Sequence, residues 1–168
     1  MKYRWIAALL AALTILGLCG CAQKTDTQKT VSMIDLRTAM EEAAPSLPEM
    51  RYVSDADDDP AQLFAHLSDM DYDKVERFFL SYSATGLADE IAVIAVKNRS
   101  DADAAADSLR AHLEDRARLY GQYKPDQLQR VENGLVFTWK HYAVLIVCDE
   151  ADAVKEAFNS FVTAHLED

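Results

Sequence analysis

The sequence predicts an α+β domain built on a four-stranded, mainly antiparallel sheet of two hairpins, with helices packed on one face. Three observations predict it. Two pairs of apolar, aromatic-rich or β-branched runs, 75–83 with 90–97 and 135–140 with 142–148, are each joined by a short turn, as hairpin strands are. Each pair is followed by a stretch whose apolar residues recur at helical spacing. The order is therefore helix, then hairpin and helix twice, with no residue-level repeat between the two halves.

Met33, Leu36, Met40 and Ala43 lie at helical spacing and Pro45 ends the pattern, which predicts a first helix over 32–43. Residues 45–60, rich in proline and ending in a run of aspartates, read as a loop, and 60–66 as a short helix. The stretch VERFFLSYS (75–83) reads as a strand, ATGLA (84–88) as a turn, and EIAVIAVK (90–97) as a nearly all-apolar returning strand. Ser100 stands where a helix cap is expected, with Asp103 at the third helical position of a capping-box-like start. The series Ala102, Ala105, Ala106, Leu109, Leu113 and Tyr120 carries that helix to about residue 121. Pro125 opens a short helix that Asn133-Gly134 ends, and LVFTWK (135–140) and YAVLIVC (142–148) form the second hairpin. Asp149 is placed to cap a last helix with the stripe Val154, Ala157, Phe158, Phe161, Val162 and His165.

Ahead of this domain, Lys2 and Arg4 precede the apolar stretch 6–18, and no acidic residue occurs before Asp26. That is the layout of a secretory signal, too short for a membrane span of about 20 residues. The stretch ends Leu18-Cys19-Gly20-Cys21, which resembles the lipobox of bacterial lipoproteins. Cys21 has small Gly20 before it and aliphatic Leu18 three residues back, whereas Cys19 would place bulky Leu18 at the cleavage site. Cys21 is therefore the expected lipidation site. Residues 1–20 then form the signal peptide, 21–31 the lipidated N-terminus and a polar, flexible tether, and 32–168 a single α+β domain. The expected location is the extracytoplasmic face of the cell membrane, held there by the N-terminal lipid.

Removing 20 of the 168 residues leaves 148, enough for one domain with a real core, and moves the net charge from −11 to −13. An acidic surface of that size argues against a nucleic-acid partner and against lying flat on anionic lipid. Cys148 ends an apolar run and reads as a buried, inert thiol.

Two aspartate combs, Asp55-Asp57-Asp59 and Asp69-Asp71-Asp73, open like calcium loops. The glycine and glutamate that such a loop needs are replaced by Pro60 and His66 in the first and by Lys74 and Leu80 in the second. Both read as solvated acidic loops, and the four histidines show no ligand spacing. No nucleophile motif, phosphate loop or dinucleotide fingerprint occurs, so the sequence points to no cofactor and no metal. Arg116 falls on the apolar stripe between Leu113 and Tyr120, so its guanidinium is partly buried or reaches over the sheet edge. A buried arginine requires a carboxylate, and Glu90 and Asp89 are the candidates. Two readings stand, a structural ion pair or a ligand-anchoring arginine, the latter making Arg116, Tyr120, Tyr123 and Glu90 the candidate binding residues.

The stretches SATGLADEIAVIAVK (83–97), EDRARLYGQYKPDQLQRVENGLVF (114–137) and YAVLIVCDE (142–150) resemble, in order, the bacterial lipoproteins grouped as domain of unknown function 4358. The resemblance rests on Ala88-Asp89-Glu90-Ile91, Arg116, Tyr123-Lys124-Pro125 and the tyrosine opening the final strand. It implies a lipoprotein of mostly Gram-positive gut bacteria and carries over no catalytic residue. Lys140-His141 stands where that family tends to have a glycine-containing turn. Function then reads, in order, as a non-enzymatic binding or assembly module with an envelope-protein partner, a receptor for a small ligand or cell-wall fragment, or an envelope hydrolase.

Overall fold

The computed structural model describes residues 31–166. The expected signal peptide, the expected lipidation site at Cys21 and all but the last residue of the expected tether lie outside the described residues. Within them the chain forms an open antiparallel sheet of five strands in the order β1-β2-β3-β5-β4, with helices against both faces. The α+β class is as expected, while the strand number and the placing of the helices are not.

Helix α1, Met33–Glu42, starts at Ser32, whose hydroxyl accepts from the Asp35 amide at 3.4 Å, and it buries Met33, Leu36 and Met40. Strand β1, Met50–Ser54, pairs with β2, Val75–Ser83, from Met50↔Ser83 to Ser54↔Phe79. This fifth strand occupies part of the span expected to be loop. It lies at the sheet edge, where backbone pairing suffices and Arg51 and Tyr52 face solvent, so its side chains carry no alternating pattern. The short helix α2, Pro60–Phe64, leads into β2, and β3, Glu90–Val96, returns against it.

A 3₁₀ turn at Arg99–Asp101 precedes helix α3, Ala102–Tyr123. Ser100 therefore sits inside that turn, and the expected cap does not form: no side-chain hydrogen bond closes the start of α3. A second 3₁₀ turn, Pro125–Gln127, runs into α4, Leu128–Glu132. Strands β4, Leu135–Trp139, and β5, Tyr142–Val147, form the second hairpin, and α5, Ala151–Leu166, closes the fold.

Every residue of β3 and β5 is buried, which requires cover on both faces of the sheet. On one face Ala105, Ala106 and Leu109 of α3 lie against Ala92, Ile94, Ala143 and Leu145, the alanines letting helix and sheet approach closely. On the other, Leu36 and Met40 of α1 and Val154, Phe158 and Val162 of α5 pack on Phe79, Val93, Val144 and Ile146. Placing all helices on one face would leave one of these two apolar faces bare.

Two consequences position the rest. Helix α3 rests on β3, β4 and β5, so on its face of the sheet β1 and β2 are left to the five-residue α2, which is too short to cover them. And the chain enters where β3 ends and β5 begins, the Val31 amide donating to the Tyr142 hydroxyl at 3.2 Å. No described helix is long and apolar enough to cross a membrane.

Candidate functional site

The uncovered part of the sheet forms a cleft between α2 and α3, about 780 Å³ with the solvent at its mouth. Its floor is Val53 of β1 with Leu80 and Tyr82 of β2, all on the α3 face because Val53 pairs with Leu80 in register. Leu63 of α2 and His66 just after it make one wall, and Glu90, His112 and Arg116 make the other. A mainly apolar floor beside a few convergent polar groups is the usual composition of a ligand site.

The polar wall is built from the start of β3 and one face of α3. Glu90 lies opposite Tyr82 in the β2–β3 register and is 1% exposed. His112 and Arg116 stand one helical turn apart and so reach the same carboxylate. His112 Nε2 lies 2.7 Å from Glu90 Oε1 and Arg116 Nη1 lies 2.7 Å from Oε2. Arg116 also donates from Nη2 to the Ala88 carbonyl at 3.1 Å and sits 5.2 Å from the Tyr120 ring centre. Its Nε is buried and finds no acceptor among the described residues. An unmet buried donor of this kind costs about 1–3 kcal/mol.

The end of α3 holds the β2–β3 connection that carries Glu90. The Tyr120 hydroxyl donates to Leu87 O at 2.8 Å, Lys124 Nζ to Gly86 O at 3.1 Å, and the Ala88 amide to Gln127 Oε1 at 3.2 Å. Asp89, the other carboxylate considered for Arg116, is taken by Arg130, whose Nη1 lies 3.0 and 2.8 Å from its two oxygens while Nη2 reaches Asp149. Two adjacent buried acids thus each receive their own arginine, one from α3 and one from α4.

Of the four candidate binding residues, the structure brings Glu90 and Arg116 together in the cleft wall. Tyr120 lies behind Arg116 as a support for the turn. Tyr123 is 76% exposed on the last turn of α3, away from the cleft. Sequence reasoning missed His66, Tyr82, Val53 and, above all, His112. The signal for His112 was its spacing of four residues before Arg116 on a helix whose face meets the start of β3.

An adjoining hollow brings Ser68 and Ser108 near His112, but the two hydroxyls bond each other at 2.6 Å and Ser108 donates to Ala105 O at 2.9 Å. The Ser108 proton is thus directed at a backbone carbonyl, not at a base. Both Glu90 oxygens are occupied, and among the described residues no three His, Cys, Asp or Glu converge as metal ligands. Three carboxylates of the aspartate combs hold the fold: Asp55 accepts from Arg77 Nε at 2.8 Å and the Phe78 amide at 3.1 Å, and Asp57 accepts from the Ser54 amide at 2.7 Å. Asp71 accepts from the Asp73 amide at 3.0 Å. Cys148 is buried, and burial pushes its thiol up to about 11.

A family model described as Domain of unknown function (DUF4358) matches residues 53–148, more than half of the chain. That span runs from Val53 in the cleft floor to Cys148 and contains every cleft residue, while α1 and α5 lie outside it. No curated protein and no solved structure matches the chain.

Proposed function

The chain belongs to the family described as Domain of unknown function (DUF4358), and we propose that it is a lipid-anchored, extracytoplasmic binding module whose site is the Glu90 cleft. The anchoring half of this reading rests on the basic, apolar and lipobox-like order of residues 2–21. The binding half rests on one observation: a buried carboxylate held by His112 and Arg116 beside an apolar floor that no helix covers. The cleft suits a small ligand or a cell-wall fragment with an apolar part to lie on Val53, Leu63 and Leu80. Its polar part would meet Tyr82, His66 and the outer edge of the Arg116 guanidinium. This favours a ligand receptor among binding modules, and a segment of an envelope protein is the competing occupant of the same cleft.

The anchoring half is tested by the intact mass of the mature protein. A diacylglyceryl group on an N-terminal Cys21 is expected, and an unmodified Cys21 or another start overturns it. For the binding half, wall fragments are screened by thermal shift. A ligand at 100 times its dissociation constant adds about 2.7 kcal/mol, and Tyr82→Ala should remove that gain. Stabilisation that Tyr82→Ala leaves unchanged would move the site elsewhere.

A further inference from the structure

We propose that the sheet end carrying Lys97, Arg99, Trp139 and Lys140 docks on the anionic headgroup layer of the membrane, so that the anchored domain stands end-on with its cleft turned away from the bilayer. The proposal rests on the lipid-anchored reading and adds an orientation to it.

The first observation is where the chain comes in. The bond from the Val31 amide to the Tyr142 hydroxyl places the entry beside the β4–β5 turn. Only ten residues, Cys21 to Thr30, separate the expected anchor from that point. Fully extended they reach no more than about 35 Å, so this end is the one kept nearest the lipid. Glu90 and Tyr82 lie at the other end of the same strands. Glu90 pairs with Val147 where Ala95 pairs with Tyr142, five residues and roughly 17 Å along β3.

The second observation is chemical. In a chain of net charge −11, residues 97–100 and 140–141 carry Lys97, Arg99 and Lys140 and no carboxylate. The two loops touch, the Val96 amide donating to His141 O at 2.9 Å. Lys97, Arg99 and Lys140 are all exposed, and Lys140 Nζ lies 4.3 Å from the centre of the partly buried Trp139 ring. A tryptophan flanked by cations is the usual furniture of a bilayer interface. Lys97 Nζ donates to the Asp73 carbonyl at 2.7 Å and Asp101 is paired with Lys74 at 3.2 Å, while Asp71, Asp73, Glu76 and Asp103 border the two loops on the β2 and α3 sides.

The net negative charge does not oppose this arrangement. Screening confines surface electrostatics to about 8–10 Å, so the interaction is set by the two cationic loops where they, and not the acidic border beside them, meet the headgroups. A flat orientation would bring the acidic remainder of the domain down onto the lipid. End-on docking also leaves the cleft open to wall fragments or partners on the distal side.

The test uses the mature lipidated protein reconstituted in vesicles of phosphatidylcholine, with or without phosphatidylglycerol, whose acyl chains are brominated near the headgroup. Of the two tryptophans, Trp5 lies in the expected signal peptide, which leaves Trp139 as the single reporter. We expect Trp139 to be quenched only with phosphatidylglycerol present and released by high salt. Each cation near an anionic surface contributes about fivefold to binding, so replacing Lys97, Arg99 and Lys140 together with Gln should lower the docking equilibrium on the order of a hundredfold. Circular dichroism checks that this variant keeps its fold. A lipidated protein whose Trp139 is quenched equally with and without anionic lipid, or in neither, overturns the docking and leaves the anchor standing. A Trp139 signal that follows protein density instead of anionic lipid assigns the end to a second copy and overturns it as well. Absence of lipid on Cys21 overturns the anchored reading and the docking with it.

Discussion

Replacing Glu90 with Gln tests the polar wall with the smallest change in shape. Glu90 is 1% exposed, and its two oxygens each hold one donor, His112 Nε2 and Arg116 Nη1, both at 2.7 Å. The amide keeps one acceptor oxygen for Arg116 and turns an NH₂ toward His112 Nε2, which accepts it only in the tautomer protonated on Nδ1, while the Arg116 guanidinium loses the charge that balances it. Breaking a buried pair from one side costs about 3–5 kcal/mol. Arg116 keeps the Ala88 carbonyl, and its side chain is 19% exposed, which relieves part of the cost. We therefore expect the low end, about 3 kcal/mol, or a Tm lower by roughly 10 °C for a domain of this size. The double variant Glu90→Leu with Arg116→Met removes both charges and should lie much closer to wild type, as buried pairs replaced by apolar side chains do. Equilibrium urea unfolding followed by circular dichroism, at constant m value, measures both. A Glu90→Gln variant within about 1 kcal/mol of wild type would refute the reasoning, because it would mean the carboxylate is neither desolvated nor paired. A double variant that folds stably yet no longer binds would show that the charges serve the cleft more than the fold.

Three further outcomes follow from the rest of the chain. His141 is 4% exposed, and its pKa is lowered to about 4 by burial first and then by Lys140 and Arg99. Its unfolded value near 6.5 is higher, so the unfolded chain binds the extra proton. Stability from this group is full above about pH 6.5, is lost as pH falls toward 4, and totals at most about 3 kcal/mol; His141→Gln should flatten that part of a pH–stability curve. Lys140 holds φ at +52°, so Lys140→Gly should stabilise the hairpin by roughly 0.5–1 kcal/mol in thermal unfolding despite losing its contact with Trp139. Cys148, pushed up to about 11 and 9% exposed, should resist alkylation at neutral pH until urea unfolds the domain.

Much of the fold was legible because its signals are local. The α1 and α5 stripes and four of the strands lie close to where spacing puts them. Strand β1 was hidden because Met50–Ser54 is short, sits between prolines and aspartates, and is held by its backbone to β2. The second helical layer was legible in principle: IAVIAV (91–96) and YAVLIV are apolar at successive positions, and a strand with one wet face would alternate. The start of α3 was misplaced because Ser100 and Asp103 have the right spacing for a capping box, but the preceding 3₁₀ turn uses the residues that would form it.

The site divides the same way. A charged residue on an apolar stripe implied a partner for Arg116, and Glu90 is that partner. Which of two neighbouring acids it takes depends on Arg130, whose α4 position no local pattern ties to Asp89. Tyr123 is seven residues beyond Arg116 and shares its helical face, but in that last turn it is Tyr120 that meets the β2–β3 connection, and Tyr123 is left in solvent. The cleft itself is absence of cover. It follows from α2 having five residues, a length that no motif announces.

The measurement that bears most directly on the central claim is photo-crosslinking in living cells, with a photoreactive phenylalanine at Leu63 in the apolar wall of the cleft and, separately, at Tyr123 on the exposed end of α3. A discrete adduct is expected from position 63 that is lost when Arg116 and Glu90 are both replaced, with none from position 123. An adduct from 123 alone, or equal adducts from both positions that ignore those replacements, would contradict it.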